Sequence, residues 1–152
     1  MKEWLIYKNK NKMYARAIDI KPINISIKSS NSGSSYDPDV FGPALWFSLH
    51  NSATTYPDYP DSETKLRMKN FLINLDLLIP CQLCKIHWNE NLKKYNLDVI
   101  VNSRENLFSF FVLAHNNVNI MSNKPQMSIE TAKNIYGFYR PGFGSSVRIS
   151  YE

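Results

Sequence analysis

Ser103-Arg104-Glu105-Asn106-Leu107-Phe108-Ser109-Phe110-Phe111-Val112-Leu113-Ala114-His115-Asn116-Asn117-Val118-Asn119 decides the fold. Ser103 offers a hydroxyl that can cap the free N–H groups of a helix start. From Leu107 to Ala114 every position except Ser109 is apolar. A helix built from such a segment has no face for water, so it belongs at the centre of other helices. The polar run behind it continues the same helix, with His115 and Asn119 one turn apart on one face.

Outward from this segment the helical pattern repeats. Asp39 is placed to cap a first helix, with Pro43 in its first turn and an apolar face of Ala44, Leu45, Phe47, Leu49 and Ala53. Tyr56-Pro57 ends it. Ser62-Glu63 opens a second helix whose stripe is Leu66, Phe71, Leu72, Leu75 and Leu78. Pro80 breaks that helix and suits the first turn of a third, which carries Cys81 and Cys84. Ser128 caps a short last helix over Ile129 to Tyr136. The expected architecture is an all-α core: a four-helix bundle plus a short fifth helix.

The N-terminal 35 residues differ. Trp4-Leu5-Ile6-Tyr7 is a short apolar run, and Ile23, Ile25 and Ile27 alternate with Asn24 and Ser26 in strand-like fashion. Lys21-Pro22 interrupts the pattern and Ser29 to Ser35 reads as a linker. This predicts a short N-terminal β-hairpin or extended arm over 1–35, a helical domain over 36–140, and an irregular tail over 141–152 with Pro141, Gly142 and Gly144.

The chain has 152 residues, enough for one domain with a core of its own. Its net charge is +5, but the Lys residues are scattered among Asn and Ile, which describes a solvated surface and not a nucleic-acid face. No apolar run approaches the ~20 residues of a membrane span. Met1 to Tyr7 has no secretory core, so the expectation is a soluble protein made in the cytosol.

Only two cysteines occur, as Cys81-Gln82-Leu83-Cys84. A disulfide-stapled secreted domain carries more, so one isolated CxxC points to chemistry. At i and i+3 of a helix the two sulfurs share a face. Pro80 sets Cys81 near the helix N-terminus, where the macrodipole favours the thiolate. Such a pair is a dithiol–disulfide switch. The same spacing also suits zinc, and a non-enzymatic zinc-binding domain is the alternative. Zinc needs two further ligands from His50, His87 and His115, and the paired HxxxH spacing of a zinc finger is absent. A thioredoxin-like reading lacks the βαβ context it needs.

Three strips add to the pair. Trp46 and His50 stand at i and i+4; His115, Val118 and Asn119 share a face; His87 and Trp88 follow Cys84 at i+3 and i+4. Any one of them alone reads as an ordinary packed core residue. Together they describe a pocket whose aromatic faces stack on a flat heterocycle and whose polar tips bond its edges. Lys124 stands close by to meet a phosphate.

Phe41-Gly42-Pro43-Ala44-Leu45-Trp46-Phe47-Ser48-Leu49-His50 resembles the opening motif of the Erv/ALR family of FAD-linked sulfhydryl oxidases. So do Tyr56-Pro57, Pro80-Cys81-Gln82-Leu83-Cys84 with His87-Trp88, and His115-Asn116-Asn117-Val118-Asn119 with Lys124-Pro125. Order and spacing agree over roughly residues 40–126, and the Gly-Pro-x-x-Trp form is similar to that of members from large DNA viruses. The resemblance implies a helical homodimer that binds FAD, oxidises dithiols and passes electrons to molecular oxygen. It implies that Cys84 lies against the flavin and Cys81 faces the incoming thiol. By the same resemblance Trp46, His50, Tyr56, His115, Val118, Asn119 and Lys124 line the FAD site, with His87 and Trp88 near the ring. Three departures stand out. Phe108 to Phe111 replaces an aromatic Trp, no further structural disulfide is available, and no shuttle CxxC is present. A separate CxxC-containing protein is therefore the expected substrate. The family's C-terminal aromatic has candidates in Tyr136, Phe138 and Tyr139.

Overall fold

The structure is a computed structural model that describes residues 4–9, 12–17 and 34–140. The first two segments are strands β1 (Trp4–Asn9) and β2 (Lys12–Ala17), paired antiparallel with Trp4 opposite Ala17 and Asn9 opposite Lys12. The alternating isoleucines 23–27 and the tail 141–152 lie outside the described residues.

Residues 34–140 form the all-α core expected from the sequence. Its long helices are α1 (Pro38–Ala53), α2 (Ser62–Asn74), α3 (Gln82–Lys93) and α5 (Arg104–Met121), followed by the short α6 (Ile129–Tyr136). Two further pieces, a 3-10 turn over Leu75–Leu78 and the one-turn α4 (Leu97–Ile100), are additions that the periodicity did not announce.

Side-chain caps explain where these helices begin. The Ser103 hydroxyl accepts from Asn106 N–H, and that of Ser128 from Thr131 N–H, both as expected. At α1 the sequence placed the cap two residues late. Asp37 is the cap, its carboxylate accepting from Asp39 N–H at 2.9 Å, and Pro38 takes the first turn. Pro43 therefore stands inside the helix. The end of α1 is also earlier, at Ala53.

Helix α5 is the hub, packed by α1, α3, α4 and α6. Leu107, Phe108, Phe110, Phe111, Val112 and Ala114 are all buried on it. Gly137, at φ 67°, closes α6 in the left-handed conformation, and Phe138 N–H returns to the Lys133 carbonyl at 2.9 Å. That turn drives Phe138 onto Phe108, with ring centroids 5.0 Å apart.

Of the five residues expected in the stripe of the second helix, two are buried, and Phe71 is exposed along with two leucines. Leu72 and Leu75 are buried at 0% and 3% exposure, but Leu66 and Leu78 are 58% and 74% exposed. The inward face uses Met68 and Ile79 instead. Trp88 joins α3 to this region, its indole N–H donating to the Leu72 carbonyl at 2.9 Å in a buried setting. Trp88→Phe keeps a ring there but removes the donor, and should lower the unfolding free energy by about 2 kcal/mol in a urea titration. An unchanged midpoint would show that this bond contributes nothing.

Candidate functional site

The first turn of α3 places the two cysteines. Cys81 is not inside the helix, as the sequence suggested, but is its N-cap, with extended backbone at φ −88° and ψ 121°. Its sulfur accepts from Cys84 N–H at 3.2 Å, the role that a Ser or Asp oxygen plays elsewhere. Cys84 is the third residue of that turn, and the Cα atoms are 5.2 Å apart. The two sulfurs form a disulfide. Both thiol positions thus sit at the positive end of a helix dipole, which favours a thiolate when the bond opens.

Cys84 lines an open cavity of about 410 Å³ between α1, α3 and α5. Trp46, Phe41, Pro43 and Leu45 form its α1 wall. His87, Trp88 and Asn91 come from α3, with Leu75 and Ile79 at its approach. His115, Val118 and Asn119 come from α5, and Ser122, Lys124 and Tyr136 complete it. Cys81 is not on this wall. The disulfide therefore bridges the cavity and the half-buried N-terminus of α3.

Within the cavity Trp46 and His115 lie parallel, their centroids 4.4 Å apart and planes within 3°. Behind His115 stands His50, whose Nε2 is 3.1 Å from His115 Nδ1. His50 is 2% exposed and does not reach the wall. Tyr136 stacks on its ring at 4.7 Å. Burial lowers the pKa of His50 to about 3, and the neighbouring His115 adds to the effect. Burial lowers His115 to about 4, with a contribution from Lys124. Both rings are neutral at physiological pH.

The loop after α5 is fixed by its own polar residues. Asn123, at φ 52°, takes the left-handed position that ends the helix. Lys124 N–H then returns to the Asn119 carbonyl at 2.8 Å and Asn123 N–H to that of Ile120 at 3.2 Å. Asn116 clamps Met127 through both its amide nitrogen and its oxygen, and Asn119 donates to the Pro125 carbonyl. This brings Lys124 to the cavity rim, where its ammonium meets Asp39 at 2.6 Å with both side chains exposed. Such a pair is easily exchanged for an incoming phosphate.

Of the residues singled out from the sequence, Trp46, Cys84, His87, Trp88, His115, Val118, Asn119 and Lys124 all meet at this cavity. Tyr56 does not. It is buried, and its hydroxyl donates to the Val101 carbonyl at 2.9 Å, joining the end of α1 to the turn before α5. His50 lies one layer back. Sequence reading missed Asn91, which is buried and accepts from the Asn117 amide at 2.7 Å. Asn91 stands seven residues beyond Cys84, two turns along the same face, so its spacing was a usable signal. Among the described residues no three of His, Cys, Asp and Glu gather to hold a metal ion, so the zinc alternative has no site there.

The cavity couples a disulfide to parallel aromatic rings, polar side chains on its wall and a rim cation, a set suited to a flat dinucleotide. The profile of the Erv1/Alr family matches residues 43–137. The chain belongs to the Erv1/Alr family. It is 38% identical over 109 residues to a putative FAD-linked sulfhydryl oxidase of Invertebrate iridescent virus 3, covering 72% of either chain. It is 34% identical over 96 residues to a probable FAD-linked sulfhydryl oxidase of Acanthamoeba polyphaga mimivirus, covering 62% of this chain and 67% of that one. Among solved structures, the crystal structure of the yeast Erv1 core is similar with a TM-score of 0.63 and 26% identity. That likeness covers 76% of this chain and 93% of the yeast one. Membership of the Erv1/Alr family thus agrees with the helical bundle, and the matched span contains the cysteine pair and all but the α1 rim of the cavity.

Proposed function

We propose that this chain is an FAD-linked thiol oxidase, with Cys81 and Cys84 as the catalytic pair and the α1–α3–α5 cavity as the cofactor site. The observation that carries this reading is the disulfide with one sulfur on the cavity wall and the other at the half-buried start of α3. A substrate thiolate attacks Cys81 Sγ; the Cys81–Cys84 bond breaks and Cys84 leaves as a thiolate. The second substrate thiolate then attacks the substrate sulfur of the mixed disulfide. The substrate departs as a disulfide, and two electrons remain on the Cys81–Cys84 pair. When bound in this cavity, FAD would supply the redox chemistry: the Cys81–Cys84 disulfide would re-form, and its two electrons, with two protons, would pass by way of the flavin to oxygen as hydrogen peroxide. The chain's residues serve this chemistry in distinct ways. Trp46 supplies a stacking face, and Asn119, His115 and Lys124 supply polar contacts. His87 and Trp88 line the same cavity as Cys84.

The substrate in this reading is a separate protein with its own CxxC, which meets Cys81 at the half-buried start of α3, off the cavity wall. Leu83, between the two cysteines, is 60% exposed and offers such a partner an apolar contact. Leu66 and Ile73, seven residues apart on one face of α2, are exposed at 58% and 48% and offer a homodimer an apolar surface. Residues 36–140 form the catalytic domain in this reading, with 1–35 as an arm. Among the described residues no helix is long and apolar enough to cross a membrane. A dedicated relay of this kind can form disulfides kinetically against a reducing cytosol.

Purified protein should be yellow with flavin absorbance, and should consume oxygen and release peroxide when given dithiothreitol. A colourless protein that stays inert after FAD is added would overturn the reading.

A further inference from the structure

His50 is buried at the centre of the bundle, with nothing in the proposed reaction for it to do. Its Nε2 lies 3.1 Å from His115 Nδ1, so one proton is shared between the two nitrogens. Its other nitrogen, Nδ1, is fully buried and has no hydrogen-bond partner. Its surroundings are rings: Tyr136 at 4.7 Å, Trp46 at 5.9 Å and Phe108 at 6.0 Å.

Both imidazoles are neutral, which leaves two arrangements. In one, His115 Nδ1 carries the proton and donates to His50 Nε2. His50 must then carry its own proton on Nδ1, burying an N–H among aromatic rings without an acceptor. In the other, His50 Nε2 carries the proton and donates to His115, and the orphaned atom is only a lone pair. Buried N–H groups without partners are rarer than under-satisfied acceptors, so the second arrangement wins. It fixes His115 as well. An imidazole that accepts at Nδ1 and is neutral carries its proton on Nε2. His115 lines the cavity, and its Nε2 has no protein partner and is not among the buried unsatisfied atoms. That N–H is free for a ligand.

We propose that His50 is a positioning residue: it sets the tautomer of His115, so that His115 presents Nε2–H as an obligatory donor to an acceptor atom of the cofactor. This inference rests on the FAD reading of the cavity. It also separates His50 from the residues that touch the cofactor. Trp46, stacked on His115, holds the ring plane, and His50 holds the proton.

Two measurements test it. In the apo protein, nitrogen-15 NMR of the histidine rings at pH 7 should show His50 and His115 both protonated at Nε2 and not at Nδ1. Flavin fluorescence titration should then separate two variants. His50→Gln places an amide N–H near the lost Nε2 and should bind FAD within about threefold of wild type. His50→Phe keeps a ring against Tyr136 without a donor and should bind about tenfold more weakly. An Nδ1-protonated His115, or equal FAD affinity in the two variants, would overturn the proposal. Failure of the wild-type chain to bind FAD would instead sink the cofactor reading, and the nitrogen-15 pattern would still decide the tautomer assignment.

Discussion

Cys84→Ser should abolish turnover with any dithiol, by at least about a thousandfold, while leaving flavin content unchanged. Only Cys84 of the pair reaches the cavity wall, which in the proposed mechanism makes it the sulfur that hands electrons inward. The serine variant keeps Cys81 as a free thiol at the N-cap of α3, able to open the disulfide of an oxidised CxxC partner and form a mixed disulfide as the partner's second sulfur leaves as a thiolate. With no Cys84 to displace that partner from Cys81, a disulfide-linked adduct should accumulate where the oxidised partner is present. Reduction should release the adduct, and Cys81→Ser should never form it. The reciprocal variant, Cys81→Ser, leaves Cys84 as an unpaired thiol on the wall of the flavin cavity. The helix dipole favours its thiolate, and a long-wavelength charge-transfer band should appear near neutral pH. If that band appears in Cys84→Ser instead, the two cysteines have exchanged roles. If only glutathione is recovered on Cys81, the substrate is a small thiol.

The parts of this site that were legible in the sequence are those set by local periodicity. Helix α5 was readable because eight residues with one polar exception leave no solvent face. Helix α6 was readable from its Ser128 cap, whereas the left-handed Gly137 that ends it was not singled out. The strips on α1, α3 and α5 each gave the correct face, and faces are what i and i+4 spacing encodes. Depth is not encoded that way. His50 and Trp46 share a strip, yet only Trp46 reaches the cavity, because the packing of α1 on α5 sets His50 behind His115. Tyr56 was misplaced for a similar reason: its hydroxyl partner, Val101, is 45 residues away in sequence. The Cys81 cap escaped notice because sulfur is seldom counted among capping acceptors. The 3-10 turn and α4 have four residues apiece, too few to establish any period.

Stability should fall steeply as pH drops from 6.5 to 5, by about 3 kcal/mol at fixed FAD concentration. The cause is the buried histidine pair. In the unfolded chain both rings take up protons near pH 6.5, whereas in the folded protein His50 resists until about 3 and His115 until about 4. Over that window the unfolded state binds more protons than the native one, so acid favours unfolding. Above pH 6.5 both states hold neutral rings and the effect vanishes; below about 3 both are protonated and the loss is complete. A depressed histidine forfeits about 1.4 kcal/mol per pH unit across its window. His50, enclosed by rings, should contribute nearly that, and His115, partly open to the cavity, about half. Carboxylates titrate mainly below pH 5, so the upper part of the curve belongs to the histidines. The decisive comparison is urea unfolding at pH 7, 6 and 5 for wild type and His50→Phe. The variant cannot protonate at position 50, so only the smaller contribution of His115, set by burial and Lys124, remains. Its stability should therefore be lower at pH 7 but much flatter with pH. A wild-type curve that stays level between pH 7 and 5 would mean that the pair is not held neutral in the folded protein, and the hydrogen bond between His50 and His115 would then need another explanation.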